Sequence, residues 1–219
     1  MFSVKNISSF IHPEGWKFAL ISILISTLFL FIWLPVAILG YLITLFIIWF
    51  FRDPERTTPS KSDAIYSPAD GVICLIDESL PPLESELEPI LMKRICVFMN
   101  VFNVHVNRSP IEGRVKKIAY TKGSFFNASL DKASEKNERN AVVIQTKENI
   151  HIVVVQIAGL IARRILSFIG NGHALSAGER FGLIRFGSRV DVYLPINSKV
   201  DCELNQRVMA GESVLASLS

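Results

Sequence analysis

From Phe18 to Phe51 run thirty-four residues without a single Asp, Glu, Lys or Arg. That absence excludes a surface helix of a water-soluble domain, which would carry a charged face. Cysteine is scarce, and Cys74, Cys96 and Cys202 make an odd, widely spaced set. The spacing excludes a disulfide framework and points to buried thiols in a reducing compartment. No grouping of the four histidines, the cysteines or the carboxylates has the spacing of metal ligands, so no metal is expected. A Gly-rich phosphate loop is also missing. There is no basic run with interleaved aromatics, and the net charge is only +3. Nucleic acid is therefore excluded as a partner, whereas an anionic lipid surface is compatible with the pI near 8.8. No fixed-period repeat and no heptad run occur. Residues 1–17 contain no small-residue cleavage site, so a removable signal peptide is not expected.

What is present is apolar mass. Half of the chain is hydrophobic and the mean hydropathy is +0.37, more than one ordinary core of a 219-residue protein absorbs. As one straight helix the uncharged run would span about 51 Å, against a hydrocarbon core of about 30 Å. Pro35 divides it, and Gly40 loosens the second half. A helical hairpin follows, crossing a bilayer or dipping in from one face. Trp16, Trp33 and Trp49 sit near the ends of the halves, as interfacial rings do. Lys5, Lys17, Arg52, Arg56 and Lys61 flank the run and place both ends on the cytoplasmic face of the cell membrane. Residues 1–56 are thus expected to form a membrane-associated hairpin and linker, and residues 57–219 a separate domain.

In that second part the period changes to that of strands. Gly71–Ile76, Arg94–Val106 as one strand or two, Arg114–Tyr120, Ala141–Thr146 and Ile150–Ile157 read as strands, the last two as a hairpin. Ile161–Ile169 fits a strand or a short helix. Short strands at close spacing give a mostly β, barrel- or sandwich-like fold. From Arg189 to Leu194 polar and apolar residues alternate, which predicts a half-buried strand with Val190, Val192 and Leu194 inward. Gly187-Ser188 precedes it, where a glycine permits backbone conformations closed to other residues. A serine needs a base to become a nucleophile. Among the histidines, His105 is the best candidate, since imidazole takes and returns a proton near neutral pH. Asp70 is a candidate to orient it and stabilise its charged form. His173, after a Gly-Asn-Gly turn, is a weaker candidate for the pocket.

Five stretches carry a resemblance to a known family. They are Arg185–Pro195, Ser67–Gly71, Phe98–Pro110, Asn137–Asn140 and Gln156–Gly159, in family order from roughly residue 45 onward. Together they resemble the short, single-domain form of phosphatidylserine decarboxylase proenzymes. The resemblance implies autocatalytic cleavage between Gly187 and Ser188 into a β chain (1–187) and an α chain (188–219) that stay together as a heterodimer. It implies conversion of Ser188 into a covalent pyruvoyl cofactor, with His105 as base and Asp70 as acid. The implied reaction turns phosphatidylserine into phosphatidylethanolamine and CO2 in phospholipid biosynthesis, with the lipid bound from the membrane. Arg163 and Arg164 are candidates to pair with the lipid phosphate, and Phe125-Phe126 to rest on the bilayer. The chain departs from the pattern at Phe102, where some members carry a further histidine, and in reading Phe-Gly-Ser-Arg rather than Leu-Gly-Ser-Thr. The alternative is a non-enzymatic membrane adaptor with a lipoyl-like barrel-sandwich domain, to which Pro68–Val72 and Val208–Glu212 are similar. Whether the chain forms a homo-oligomer stays open.

Overall fold

The computed structural model describes residues 10–61, 63–126, 136–159, 164–185 and 188–218. The chain divides into two compact units, 1–55 and 56–219.

In the first unit, α1 (Pro13–Phe29) and α2 (Leu34–Phe50) form an antiparallel hairpin. His12 caps α1 by accepting the Glu14 N–H on Nδ1 at 3.3 Å. The turn falls at Leu30–Trp33, ahead of Pro35, which sits in the first turn of α2. There the missing N–H costs no hydrogen bond, so the proline starts the second helix instead of breaking one long helix. The open ends are tied by His12 N–H to the Phe51 carbonyl (2.8 Å) and Asp53 N–H to the Phe10 carbonyl (2.7 Å).

The seam of the hairpin is small and polar. Ser22 Oγ meets Thr44 Oγ1 at 2.7 Å, and Thr27 Oγ1 meets Tyr41 Oη at 3.0 Å. A Cβ on Gly40 would lie 2.3 Å from Ser26 Oγ, so only glycine allows the helices this close. The outside is apolar, with Leu24, Leu42 and Leu45 exposed along the helices and Phe31, Ile32 and Trp33 at the tip. Small and polar residues thus make the helix–helix contact while large apolar side chains face outward. Each helix has 17 residues, about 25 Å. Among the described residues no helix is long and apolar enough to cross a membrane.

The second unit is built from β1 (Ala64–Tyr66), β2 (Gly71–Ser79), β3 (Met92–Met99), β4 (Val106–Arg108), β5 (Gly113–Thr121), β6 (Arg139–Gln145), β7 (His151–Ala158), β8 (Ile165–Ser167), β9 (Ala174–Leu175), β10 (Arg180–Ile184), β11 (Ser188–Pro195), β12 (Lys199–Val200), β13 (Arg207–Val208) and β14 (Val214–Ser217). Eight strands form one sheet in the order β13-β2-β3-β11-β7-β6-β5-β9, and two three-stranded sheets have the orders β1-β14-β12 and β4-β10-β8. The fold is mostly β, as expected for a barrel- or sandwich-like domain. The Arg94–Val106 stretch resolves into two strands separated by a turn at Asn100–Asn103. Within Ile161–Ile169 the described part contains a short strand, and residues 161–163 lie outside the described residues.

Strand β11 occupies the middle of the large sheet, paired with β3 on one side and β7 on the other. Its inner face, Val190, Val192 and Leu194, joins the main core with Ile95, Val97 and Val154. The half-buried expectation is corrected on the other face, where Arg189, Asp191 and Tyr193 are buried as well. There Tyr193 packs with Val143, Val155 and Ile157 in a second apolar cluster that Leu87 helps cover. Arg189 Nε and Nη2 donate to the Asp191 carboxylate at 2.6 and 2.9 Å, so the polar residues of the alternation neutralise each other beneath that cover. Burial, and next the Asp191 charge, push the neighbouring Cys96 thiol far up. All three cysteines are unbridged, with Cys96 and Cys202 buried and Cys74 partly so.

Gly71 opens β2 where it runs against β3. A Cβ there would lie 2.2 Å from the Phe98 carbonyl oxygen, a backbone atom that cannot swing away. Gly71→Ala should therefore destabilise the folded protein by about 1–3 kcal/mol. Thermal unfolding of the detergent-solubilised chain would measure it, and an unchanged midpoint would contradict this packing.

Candidate functional site

Ser188 and Asp70 stand at the same end of the large sheet, and His105 leads into β4 of a separate three-stranded sheet. Ser188 is the first residue of β11, opposite Met99 of β3 and Ala158 of β7. It is sealed from solvent, and its hydroxyl donates to Met99 Sδ at 3.3 Å. Phe186 and Gly187 lie outside the described residues, so the geometry of the expected scissile bond does too. Asp70 immediately precedes β2, and the Pro68 carbonyl beside it accepts the Arg108 N–H of β4 at 2.9 Å. His105 leads into the same β4 and is fully buried, with its carbonyl accepting the Ile184 N–H of β10 at 3.2 Å.

The His105 ring is oriented by its own loop. Nδ1 lies 2.9 Å from the Asn103 carbonyl, which can only accept. Nδ1 therefore carries the proton in the neutral ring, and Nε2 is the basic nitrogen. Asp70 Oδ2 accepts from Arg56 Nη2 at 2.8 Å, and Oδ1 accepts the Ala210 N–H at 2.8 Å. Arg56 also reaches Glu212 Oε2 at 3.4 Å, and Glu212 Oε1 accepts the Thr57 N–H. Arg56, read from sequence as one of the membrane-flanking cations, is thus committed to the carboxylates of the β domain. Its position within a polar linker carried no signal of that role.

A buried amide chain was also invisible in the sequence. Asn140 Nδ2 donates to Gln156 Oε1 at 3.0 Å, and Gln156 Nε2 donates to Asn107 Oδ1 at 2.8 Å. Asn107 Nδ2 is left with long contacts, 3.5 Å to the Pro68 carbonyl and 3.8 Å to the Met99 sulfur that Ser188 also touches. All three amides are essentially without solvent exposure. The chain is polarised so that its donor end faces the Ser188 neighbourhood. Asn107, Asn140 and Gln156 lie in three separate stretches of the sequence, and only tertiary pairing connects them.

The weaker candidates separate. His173 is exposed, 3.1 Å from Glu179 Oε1 at a surface turn, and does not line this site. Arg164 is exposed, and Arg163 lies outside the described residues. Phe125 packs against the main core, whereas Phe126 is half exposed. Asn137 pins that segment by donating to the Phe126 and Ala158 carbonyls, both at 2.8 Å. An open cleft lined by Lys61, Tyr66, Glu112 and Lys147 lies beside the Thr146–Ile150 turn, at the opposite end of β6 and β7 from Ser188.

A sequence profile described as phosphatidylserine decarboxylase matches residues 43–216. The chain belongs to the phosphatidylserine decarboxylase family. It is 52% identical over 207 residues to the phosphatidylserine decarboxylase proenzyme of Ruegeria pomeroyi, covering 94% of both chains. To the proenzyme of the same name from Nitrobacter winogradskyi it is 50% identical over 214 residues, covering 98% of this chain and 87% of that one. The family match takes in Asp70, His105 and Ser188 together with β1 to β13 and most of β14, but begins inside α2. Phe102, where some family members carry histidine, is largely exposed in the turn after β3. The adaptor alternative gains nothing, since the described helices form an apolar 17-residue pair and not a long coiled-coil hairpin.

Arg56 and Asp70 have side chains only 10% and 12% exposed. Arg56→Ala should cost on the order of 3 kcal/mol, because it strands a mostly buried carboxylate. Adding Asp70→Asn should recover part of that loss, a coupling that thermal unfolding of both single variants and the double variant would measure. Strict additivity would show that the pair is not acting as one.

Proposed function

We propose that this protein decarboxylates phosphatidylserine to phosphatidylethanolamine and CO2 after cutting its own chain between Gly187 and Ser188. The observation that carries the reading is Ser188: a buried hydroxyl at the first position of a central strand, within a chain about half identical to two named proenzymes. His105 Nε2 removes the Ser188 hydroxyl proton, and Asp70 stabilises the imidazolium that results. Oγ then attacks the Gly187 carbonyl carbon, and the acyl group moves from nitrogen to oxygen to give an ester. Elimination releases the Gly187 carboxylate and leaves dehydroalanine at 188, which hydrolyses to a pyruvoyl group and ammonia.

The surroundings of Ser188 suit such a group. Met99 and Ala158 flank it with apolar surface, and the weakly engaged Asn107 Nδ2 supplies a donor nearby. The pyruvoyl group supplies a ketone that takes up the electron pair released as CO2 leaves. The protein's part is to hold position 188 rigidly between two strands, to exclude water, and to return a proton from His105. The β and α chains stay paired as a heterodimer through the ladders of β11 to β3 and β7.

The hairpin belongs to the same reading. A diacyl lipid stays in the bilayer, so an anchored enzyme needs to lift only the headgroup. Helices of about 25 Å with an exposed Phe31-Ile32-Trp33 tip support entry from one face of the membrane. Lys17 and Arg52, near the open end of the hairpin, favour the cytoplasmic face.

Release of CO2 from phosphatidylserine in detergent micelles tests the activity. The wild-type chain should release it and Ser188→Ala should not, while His105→Ala should slow self-cleavage by about 10²–10⁴-fold. A Ser188→Ala chain that still releases CO2, or a wild type that never does, would defeat the proposal. The anchor is tested separately by washing membranes with high salt. The protein should stay in the pellet, and its appearance in the wash would show that charge and not apolar insertion holds it there.

A further inference from the structure

A second acidic residue stands in line with Ser188. Across the inner face of the large sheet, Met99, Ser188 and Ala158 occupy one cross-strand row. Glu138 completes it, because its carbonyl accepts the Ala158 N–H at 2.9 Å and so extends the β6–β7 ladder by one residue. Side chains alternate along a strand. Arg139 pairs with Glu84 on the outer side, and Asn140 joins the buried amide chain on the inner side. Glu138 therefore points inward with Asn140, toward the face that carries Ser188. Strands two apart are separated by about 10 Å, and in this row only the Ala158 methyl stands between Glu138 and Ser188.

The Glu138 side chain is unusual in its bonding. The residue is 91% buried, being 9% exposed, yet Oε1 is sealed from solvent and has no hydrogen-bond donor among the described residues. Tyr120 is its neighbour: burial, and next the nearby Glu138 carboxylate, push the Tyr120 phenol up to about 12. A sealed carboxylate oxygen without a donor is costly, and the cost is relieved when a ligand brings the donor.

We propose that Glu138 Oε1 binds the primary ammonium group of the aminophospholipid headgroup at position 188. This rests on the decarboxylase reading for the identity of the lipid. An ammonium offers three N–H donors and the opposite charge, the pairing that a lone buried carboxylate oxygen requires. It is also the end of the serine headgroup that must arrive beside residue 188. Only a neutral amine is a nucleophile, and Oε1 can take the surplus proton: one N–H bond breaks, one O–H bond forms, and the amine keeps its lone pair. Among the described residues no group of three His, Cys, Asp or Glu is placed to hold a metal ion here.

The test uses the full-length processed protein in detergent and three soluble probes: glycerophosphoethanolamine, its N-acetyl derivative, and the analogue with a hydroxyl in place of the amine. Calorimetry should give wild-type binding about tenfold or more tighter for the free amine than for either analogue. Glu138→Gln, measured in parallel for self-cleavage by intact mass, should be cleaved like wild type and lose that preference to within about twofold. Glu138→Asp, which keeps the charge, should retain part of it and serves if the Gln variant does not fold. A wild type that fails to distinguish the amine from its N-acetyl form overturns the proposal without any variant, and so does a Glu138→Gln chain that keeps the full preference. A wild type that prefers the amine but releases no CO2 from phosphatidylserine would leave the ammonium site standing and remove the decarboxylase reading.

Discussion

The structure depends on β11 being hydrogen-bonded along both edges. Eight consecutive residues, Ser188–Pro195, pair with β3, and six of them also pair with β7. The segment is thereby fixed in register before any chemistry is considered, and a register slip of one residue would exchange its inner and outer faces. Ser188 gains a defined position because it is the first residue of that ladder and not part of a loop. The same ladders explain how a chain could be cut just before Ser188 and keep its fold, since none of the β11 pairings requires the bond that precedes it.

Two polar layers sandwich this strand and use opposite solutions to burial. On the outer face the charges are closed on themselves. Burial alone would lower the Arg189 pKa, but the Asp191 carboxylate outweighs it and keeps the guanidinium charged, and Arg94 is likewise held by Asp77 at 2.6 and 2.8 Å. On the inner face the Asn140–Gln156–Asn107 chain is neutral and ends in a donor with only long contacts. A satisfied layer confers register and rigidity, whereas an incompletely satisfied one is where a ligand can be accepted. That contrast favours the inner side of β11 for the proposed chemistry.

Much of this was legible in the sequence, and the failures have physical causes. The uncharged run showed the hairpin, but Pro35 reads as a breaker until its tolerance in the first turn of a helix is considered. The alternation Arg189–Leu194 identified the strand and its inward Val residues. It could not show that Arg189 and Asp191 neutralise each other and so permit burial of the polar face. Asp70, His105 and Ser188 stood out as residue types with known chemistry, while Arg56, Asn107 and Gln156 did not, because their roles arise from partners 14 to 156 positions away. Glu138 was visible only as part of a familiar stretch. Its significance comes from the row it shares with Ser188, which is a property of the sheet.

The central claim is that Ser188 becomes the first residue of a separate chain. Intact mass spectrometry of the purified full-length protein under denaturing conditions tests it most directly. The account predicts two species, one ending at Gly187 and one spanning 188–219, the smaller lacking a free α-amino group and therefore blocked to sequential degradation. A single species at the full 24.5 kDa that nonetheless releases CO2 from phosphatidylserine would contradict it.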